Sequence, residues 1–339
     1  MLLGISPVRI SFAGGGTDMP EYYEKHGGIV ITTTINHFTY VIVNERKDNK
    51  LQIFSPDFEA HSIAEKMNKL CAKKGTELPV SIIKFLNYKK GMNLILSSDV
   101  PPQSGLGSSS SLAVNLINVI SFLKGSKISK SEIADLSHDI ARKKLKWPVG
   151  KQDEYIASFG GFKKIEFKKD KIKVSPVKTS QKTLKELESN LLLFFVGSRT
   201  TSSILTNHIS KIKKNDPVTM NSLSNVTALA HDAYDSIRKS NLTGFGELLD
   251  KGWNLKKKFS NNVSNPKIDK IYKSALNSGA IGGKLTGAGG GGHLLLYCEK
   301  SKQSKVIREM EKFKLKQIKF SFFNDGAKIL NLYDYTGTK

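Results

Sequence analysis

Residues 102–111, PQSGLGSSSS, join a glycine-rich bend to a row of hydroxyls and run straight into the apolar stretch LAVNLINVISFL. A helix that starts here exposes unpaired N–H groups and the positive end of its dipole, which together seat phosphate. Gly105 and Gly107 let the backbone approach an anion closely, and successive N–H groups can form a nest. The hydroxyls of Ser108, Ser109 and Ser110 can cap the helix, bond phosphate oxygens or help hold Mg2+. No GxxxxGK[ST] occurs in the chain, so a Walker loop is excluded. Taken alone, the stretch reads equally well as a glycine turn with serine caps.

Two further clusters carry chemistry. In SPVRISFAGGGTDMPEYY (6–23) a strand delivers Arg9, three glycines turn the chain, and Thr17 and Asp18 stand at the strand exit. A carboxylate beside a glycine turn suits sugar hydroxyls; a turn capped by Asp18 is the plainer alternative. In KLTGAGGGGHLLLY (284–297) Gly287, Gly289, Gly290, Gly291 and Gly292 precede a strand that looks buried. The backbone there must come close to something, either a nucleotide or another loop.

The elements that hold these clusters follow from periodicity. VRISF (8–12), IVITTTINHFTYVIVN (29–44) and MNLILSSDV (92–100) have the β-branched and aromatic density of strands. Leu112, Leu116, Ile117, Ile120 and Leu123 recur at helical spacing. Ser129 and Glu132 form a capping-box pattern that opens a second helix, SEIADLSHDIARKKL. FGGFKKIEF (159–167) and LLLFFVG (191–197) read as strands, and helices are expected over 200–214, 217–240 and 243–260. Asn265-Pro266 is an N-cap with proline at the first helical position, opening a helix that stops near Gly279. A strand HLLLYC, a helix over 302–312 and a strand IKFSFF complete the chain.

Composition narrows the class. The 339 residues are 39% hydrophobic and 24% charged, a globular balance. Formal net charge is +23, yet only six of the 53 basic residues are arginine, and the lysines are spread along the whole chain. Nucleic-acid readers lean on arginine forks and clustered basic faces. No nucleic-acid partner is expected, and the charge reads as a lysine-coated surface with a taste for anionic ligands. No apolar run approaches the roughly 18–20 residues that span a bilayer, so no membrane partner is expected. The N-terminus has no basic segment ahead of an apolar one, and Cys71 and Cys298 are the only cysteines. A cytoplasmic location is expected; the sequence specifies no oligomeric state.

In this order and spacing the three clusters resemble the signature motifs of the GHMP kinase superfamily. PVRISFAGGGTDMPEYY, DVPPQSGLGSSSSLAVN, PVGKQDEYIASFGG, FFVGSRTTSSIL and NPKIDKIYKSALNSGAIGGKLTGAGGGGHLLLY are similar to its sugar-kinase branch, typified by D-glycero-D-manno-heptose 7-phosphate kinase, from residue 6 to about 325. The resemblance implies an α+β, two-domain GHMP kinase fold. A ribosomal-protein-S5-like domain would occupy 1–175 and a ferredoxin-like domain 176–339. It also implies an ATP- and Mg2+-dependent kinase for a small-molecule sugar or sugar phosphate. The acceptor would be the anomeric hydroxyl of a heptose 7-phosphate, or a hexose or fucose hydroxyl as in galactokinase or fucokinase.

By the same resemblance Pro102, Ser104, Gly105, Leu106, Gly107, Ser108, Ser109 and Ser110 surround the nucleotide phosphates, with Ser109 contacting the metal. Asp153, in PVGKQDEY, is the catalytic aspartate, accepting the acceptor's proton or orienting its hydroxyl. Arg9 stands by the reacting phosphate and offsets its charge. Gly16, Thr17, Asp18, Gly287, Gly289 and Gly290 fall to the acceptor. Arg199 would clamp an anionic group such as a phosphate already on the sugar. One position departs: many relatives carry a magnesium-binding glutamate where this chain has Ala141, with Asp139 on a different helix face. A catalytically impaired sugar and nucleotide sensor is the alternative this departure raises.

Overall fold

A computed structural model of the chain describes residues 1–198, 203–258 and 262–331. The first half runs β1 (Leu2–Ala13), α1 (Pro20–His26), β2 (Gly28–Glu45), the hairpin β3 (Leu51–Ser55) and β4 (Ala60–Ala64), α2 (Glu77–Phe85), β5 (Met92–Ser98), α3 (Ser108–Leu123), α4 (Lys130–Asp139), α5 (Gln152–Phe159), β6 (Phe162–Lys168) and β7 (Lys171–Pro176). The second half runs α6 (Gln181–Ser189), β8 (Leu191–Gly197), α7 (Ser203–Lys213), α8 (Pro217–Arg238), α9 (Leu242–Lys256), α10 (Pro266–Asn277), β9 (Gly282–Leu285), β10 (Gly292–Tyr297), α11 (Lys300–Lys312), β11 (Gln317–Ile318), β12 (Phe322–Phe323) and β13 (Lys328–Asn331). No helix among the described residues is long and apolar enough to cross a membrane.

The long β-branched strand β2 organises the first sheet. It pairs antiparallel with β1, with β5 along its second half and with β6 along its first half. A second, antiparallel sheet has the order β11-β8-β10-β9. The expected division at 175/176 falls at the last residue of β7, just short of the connection to α6, but the chain returns: β12 pairs with β2 and β13 with β1. The run IKFSFF is therefore not one strand. Its first residues pair with β8 and its last with β2, and between them Asn36 exchanges hydrogen bonds with Ser321. Crossing from one sheet to the other breaks the extended run and lets Phe320 and Phe322 pack into the core shared by β1, β8, β10 and α9.

Helix α3 is pinned to the first sheet by polar contacts as well as by Leu116, Ile117 and Ile120. Ser111 Oγ lies 3.0 Å from Ser6 O, and Asn115 Nδ2 donates to Thr39 O at 2.9 Å. A side chain at Gly4 would run into Asn115, its first carbon only 2.2 Å from Oδ1. That closeness lets α3 lie directly against β1. The capping box at Ser129 and the Asn265 cap both form as the sequence predicts. Helix α4 continues into a single π turn, Ile140–Lys144, of the kind that often marks functional sites.

Candidate active site

All three glycine clusters line one cleft of about 530 Å³ between the two sheets. Its floor is the start of α3. Gly107 is the helix N-cap at φ +76°, and the first helical bond is made by Ser111 N–H to Gly107 O at 2.9 Å. The amides of Ser108, Ser109 and Ser110 therefore precede the intrahelical ladder, as an anion seat requires. The serines do not cap the helix; Ser110 Oγ instead donates to Glu154 at 2.9 Å. Pro102, Ser104, Gly105, Gly107 and Ser108 to Ser110 face the cleft, while Leu106 turns its side chain into the core.

Arg9 and Asp153, 144 residues apart, meet at the mouth of this cradle. Arg9 donates through Nε to Oδ1 at 2.7 Å and through Nη2 to Oδ2 at 2.6 Å, and its third nitrogen reaches Gly105 O at 2.6 Å. A bulge at Val8, between Pro7 and Arg9, shifts the register of β1 on β2, so that Arg9 stands opposite Thr34 while its N–H bonds Leu106 O at 2.9 Å. Bulges re-aim side chains in this way beside active sites. Gly107 lies under the pair: a β-carbon there would stand 3.1 Å from Asp153 Oδ2 and 3.3 Å from Arg9 Cζ. Asp153 rides on the first turn of α5, a short helix that no periodicity announced.

Motif one divides. Asp18 is buried, lines the cleft, and accepts from Gly16 N–H at 3.0 Å and Gln152 N–H at 3.1 Å, which ties the glycine turn to the start of α5. Burial, and then the Asp153 charge, raise its carboxyl above the ordinary value. Gly16 also lines the cleft. Thr17 does not. Its hydroxyl lies 2.8 Å from Gly14 O and accepts from Ile29 N–H at 3.1 Å, so it is consumed by the backbone and turned away from an acceptor.

The partner that the third cluster needs is the second cluster. A β-carbon on Gly105 would stand 2.6 Å from Thr286 O, one on Gly287 2.7 Å from Gly105 Cα, and one on Gly292 2.5 Å from Ser104 O. His293, held neutral by burial, places Nδ1 2.8 Å from Ser104 O, so that nitrogen carries the proton. Of this cluster's three glycines expected at the acceptor, Gly287 reaches the cleft edge, whereas Gly289 and Gly290 pack on Val263. Arg199 lies outside the described residues. Ala141 is buried within the π turn and does not line the cleft.

Several cleft residues had no sequence signal. Ser11, Gln152 and Lys284 line the cleft, as does an arm formed by Ser55, Phe58, Lys74, Leu78, Leu112 and Trp147. Gln152 stands beside Asp153 in PVGKQDEY, and Lys284 opens the glycine cluster 284–297, positions that carry no signal of their own. Glu154 was likewise passed over. It is buried, and burial first, then Asp153, push its carboxyl up to about 8 from an ordinary 4.5. A folded-state value raised this way adds stability below about 4.5 and loses it as pH climbs through about 8. Glu154→Gln keeps an acceptor for Ser110 and removes that loss. Thermal melts between pH 5 and 8.5 should show the wild type falling relative to the variant; parallel curves would count against a buried proton on Glu154.

The donor set fits a nucleotide-borne Mg2+ only sparingly. No three His, Cys, Asp or Glu side chains gather as a metal group among the described residues. Protein ligands then reduce to the Ser109 hydroxyl and at most Asp153, with phosphate oxygens and water completing the shell. Mg2+ commonly accepts that arrangement.

Comparison with known proteins bears on what such a cleft serves. The chain matches the GHMP kinases N terminal domain over residues 69–161 and the GHMP kinases C terminal domain over residues 233–316. It is 30% identical to a D-glycero-alpha-D-manno-heptose 7-phosphate kinase of Campylobacter jejuni, across 95% of this chain and 97% of that one. It is 28% identical to an L-fucokinase/L-fucose-1-P guanylyltransferase of Bacteroides fragilis, across 91% of this chain and 35% of that one. Among solved structures it is similar to a D-glycero-D-manno-heptose 1-phosphate kinase of Bacteroides thetaiotaomicron, with a TM-score of 0.81, 26% identity, and coverage of 98% and 100%.

Proposed function

The chain belongs to the GHMP kinase family, and from that membership we propose that it transfers the terminal phosphoryl group of ATP to a sugar hydroxyl. The proposed acceptor is a heptose that already carries a phosphate. One observation carries the chemistry: the Arg9–Asp153 pair is pressed against Gly107, at the positive end of α3. In this reading the acceptor hydroxyl donates to a free lone pair of Asp153, which orients it for in-line attack and takes its proton. The new P–O bond forms as the bond to the leaving ADP oxygen breaks. Arg9 and the amides of Ser108 to Ser110 face the charge that develops on the transferred group. Mg2+ bound with the nucleotide, with the Ser109 hydroxyl as its protein ligand, would supply positive charge against the phosphates. The arm lined by Phe58 and Trp147 suits the base and ribose; the side lined by Gly16 and Asp18 suits the sugar.

Incubation with Mg-ATP and a panel of mannoheptose 7-phosphate, galactose and fucose tests this. ADP release with the heptose phosphate, and a second phosphate resonance on the product by phosphorus NMR, are the expected result. Ala141 favours one other reading, a sensor that binds both ligands without turnover. Tight sugar binding with no ADP from any acceptor would select it.

A further inference from the structure

Lys284 is a buried lysine that nothing above employs. It enters the cleft from β9 and is 8% exposed. Its ammonium donates to Phe12 O at 2.9 Å, and no other hydrogen bond and no carboxylate meets it among the described residues. That carbonyl is available because β1 shifts register between Ser11 and Ala13. Burial, and then the like charge of Arg9, lower its pKa to about 7. An ammonium buried without a counter-charge is disfavoured by several kcal/mol, and an arriving anion removes that penalty.

Two orphaned polar atoms line the same cleft. Ser11 Oγ and Gln152 Oε1 are both buried without a hydrogen-bond partner, and both side chains line the cleft. Gly15 separates them: a β-carbon there would stand 3.8 Å from Ser11 Oγ and 3.9 Å from Gln152 Nε2. The missing side chain leaves a gap bounded by a hydroxyl and an amide, with the Lys284 cation held on the carbonyl of Phe12, the residue after Ser11. Arg9 and Ser11 share the cleft-facing side of β1. Phe12 O is thus one to two pleat repeats from Arg9, roughly 7–13 Å at 3.3 Å per residue. Arg9 is already engaged by Asp153 and Gly105 O, whereas Lys284 meets no carboxylate among the described residues, which leaves the lysine as the cation for a second anionic group on the acceptor.

We propose that Lys284, with Ser11 and Gln152, forms the acceptor's seat: the lysine takes a phosphate the sugar already bears, and the other two take ring hydroxyls. The assignment rests on the sugar-kinase reading and makes the substrate class an anionic sugar.

The test is calorimetric binding of three probes to the nucleotide-free protein: mannoheptose 7-phosphate, unphosphorylated mannoheptose and AMP-PNP. The wild type should prefer the phosphorylated sugar by at least tenfold. Lys284→Met should abolish that preference while AMP-PNP affinity stays within twofold. Gly15→Ala adds a methyl at ordinary contact distance, so the melting temperature should hold while both sugars bind about tenfold more weakly. It keeps the test decisive if the lysine variant fails to fold. A Lys284→Met protein that loses AMP-PNP but keeps the sugar-phosphate preference would assign the lysine to the triphosphate and overturn the seat. So would equal affinity of the wild type for both sugars, or unaltered sugar binding in Gly15→Ala. If the wild type bound AMP-PNP but neither sugar, the sugar-kinase reading itself would fall, and the seat with it.

Discussion

Asp153→Asn will lower kcat by at least about a hundredfold while leaving AMP-PNP affinity nearly unchanged. The size follows from removing a positioned acid–base group, which typically contributes about 10²–10⁴. Asparagine preserves the shape and one acceptor oxygen but cannot take the acceptor's proton, and it cannot hold a bidentate guanidinium. Arg9 is 4% exposed, so the variant also leaves a buried cation with neutral acceptors alone, Gly105 O and one amide oxygen. Arg9→Met should itself cost a similar factor. The double variant should be little worse than either single one, because the two side chains act as a unit. Single-turnover kinetics with saturating acceptor would check all three. Additive losses would mean that the pair works as two independent groups, and wild-type turnover in Asp153→Asn would remove the carboxylate from the mechanism altogether.

Gly105→Ala will cost about a hundredfold in kcat/KM for ATP, though position 105 offers no side chain to any ligand. Its backbone sits at φ +81°, where an L-residue is strained by roughly 1–2 kcal/mol. Worse, the new methyl would lie 2.6 Å from Thr286 O and 3.0 Å from Thr286 Oγ1. The obstacle is another backbone, and Gly287 in turn has Gly105 against it, so neither loop can yield without moving the other. A displacement of about 1 Å in a phosphate cradle is enough for a loss of that order. Gly125→Ala, where a β-carbon meets nothing within 4 Å, serves as the control for backbone strain alone, since its φ of +69° is comparable. The measurement is kcat/KM for both variants beside their melting temperatures. Equal, small effects at 105 and 125 would show that the contact with Thr286 does not matter.

The parts of the fold that were legible were those governed by neighbours in sequence. The start of α3, the box at Ser129 and the Asn265-Pro266 cap are decided within three or four residues by propensity and side-chain-to-backbone bonding. Strand density along residues 29–44 announced β2 for the same reason. Short elements escaped: α5 has eight residues between Gly150 and Gly160, too few for a period to declare itself. The split of IKFSFF between two sheets escaped as well, because pairing partners and not the strand itself decide where it bends.

The same boundary runs through the site. Glycine turns and the serine row offered a place for phosphate from sequence alone, since a nest of amides at a helix start is a local object, and the resemblance of the three clusters together supplied the kinase chemistry. Which side chains do the binding was decided only by packing. Thr17 looked like an acceptor contact and is consumed by the backbone of residues 14 and 29. Gly289 and Gly290 looked like substrate contacts and serve Val263. Lys284 became conspicuous only when docking of the second sheet buried it against Phe12, 272 residues away in the chain. Burial sets the worth of a charge, and burial is a property of two surfaces meeting, which no single stretch of residues encodes.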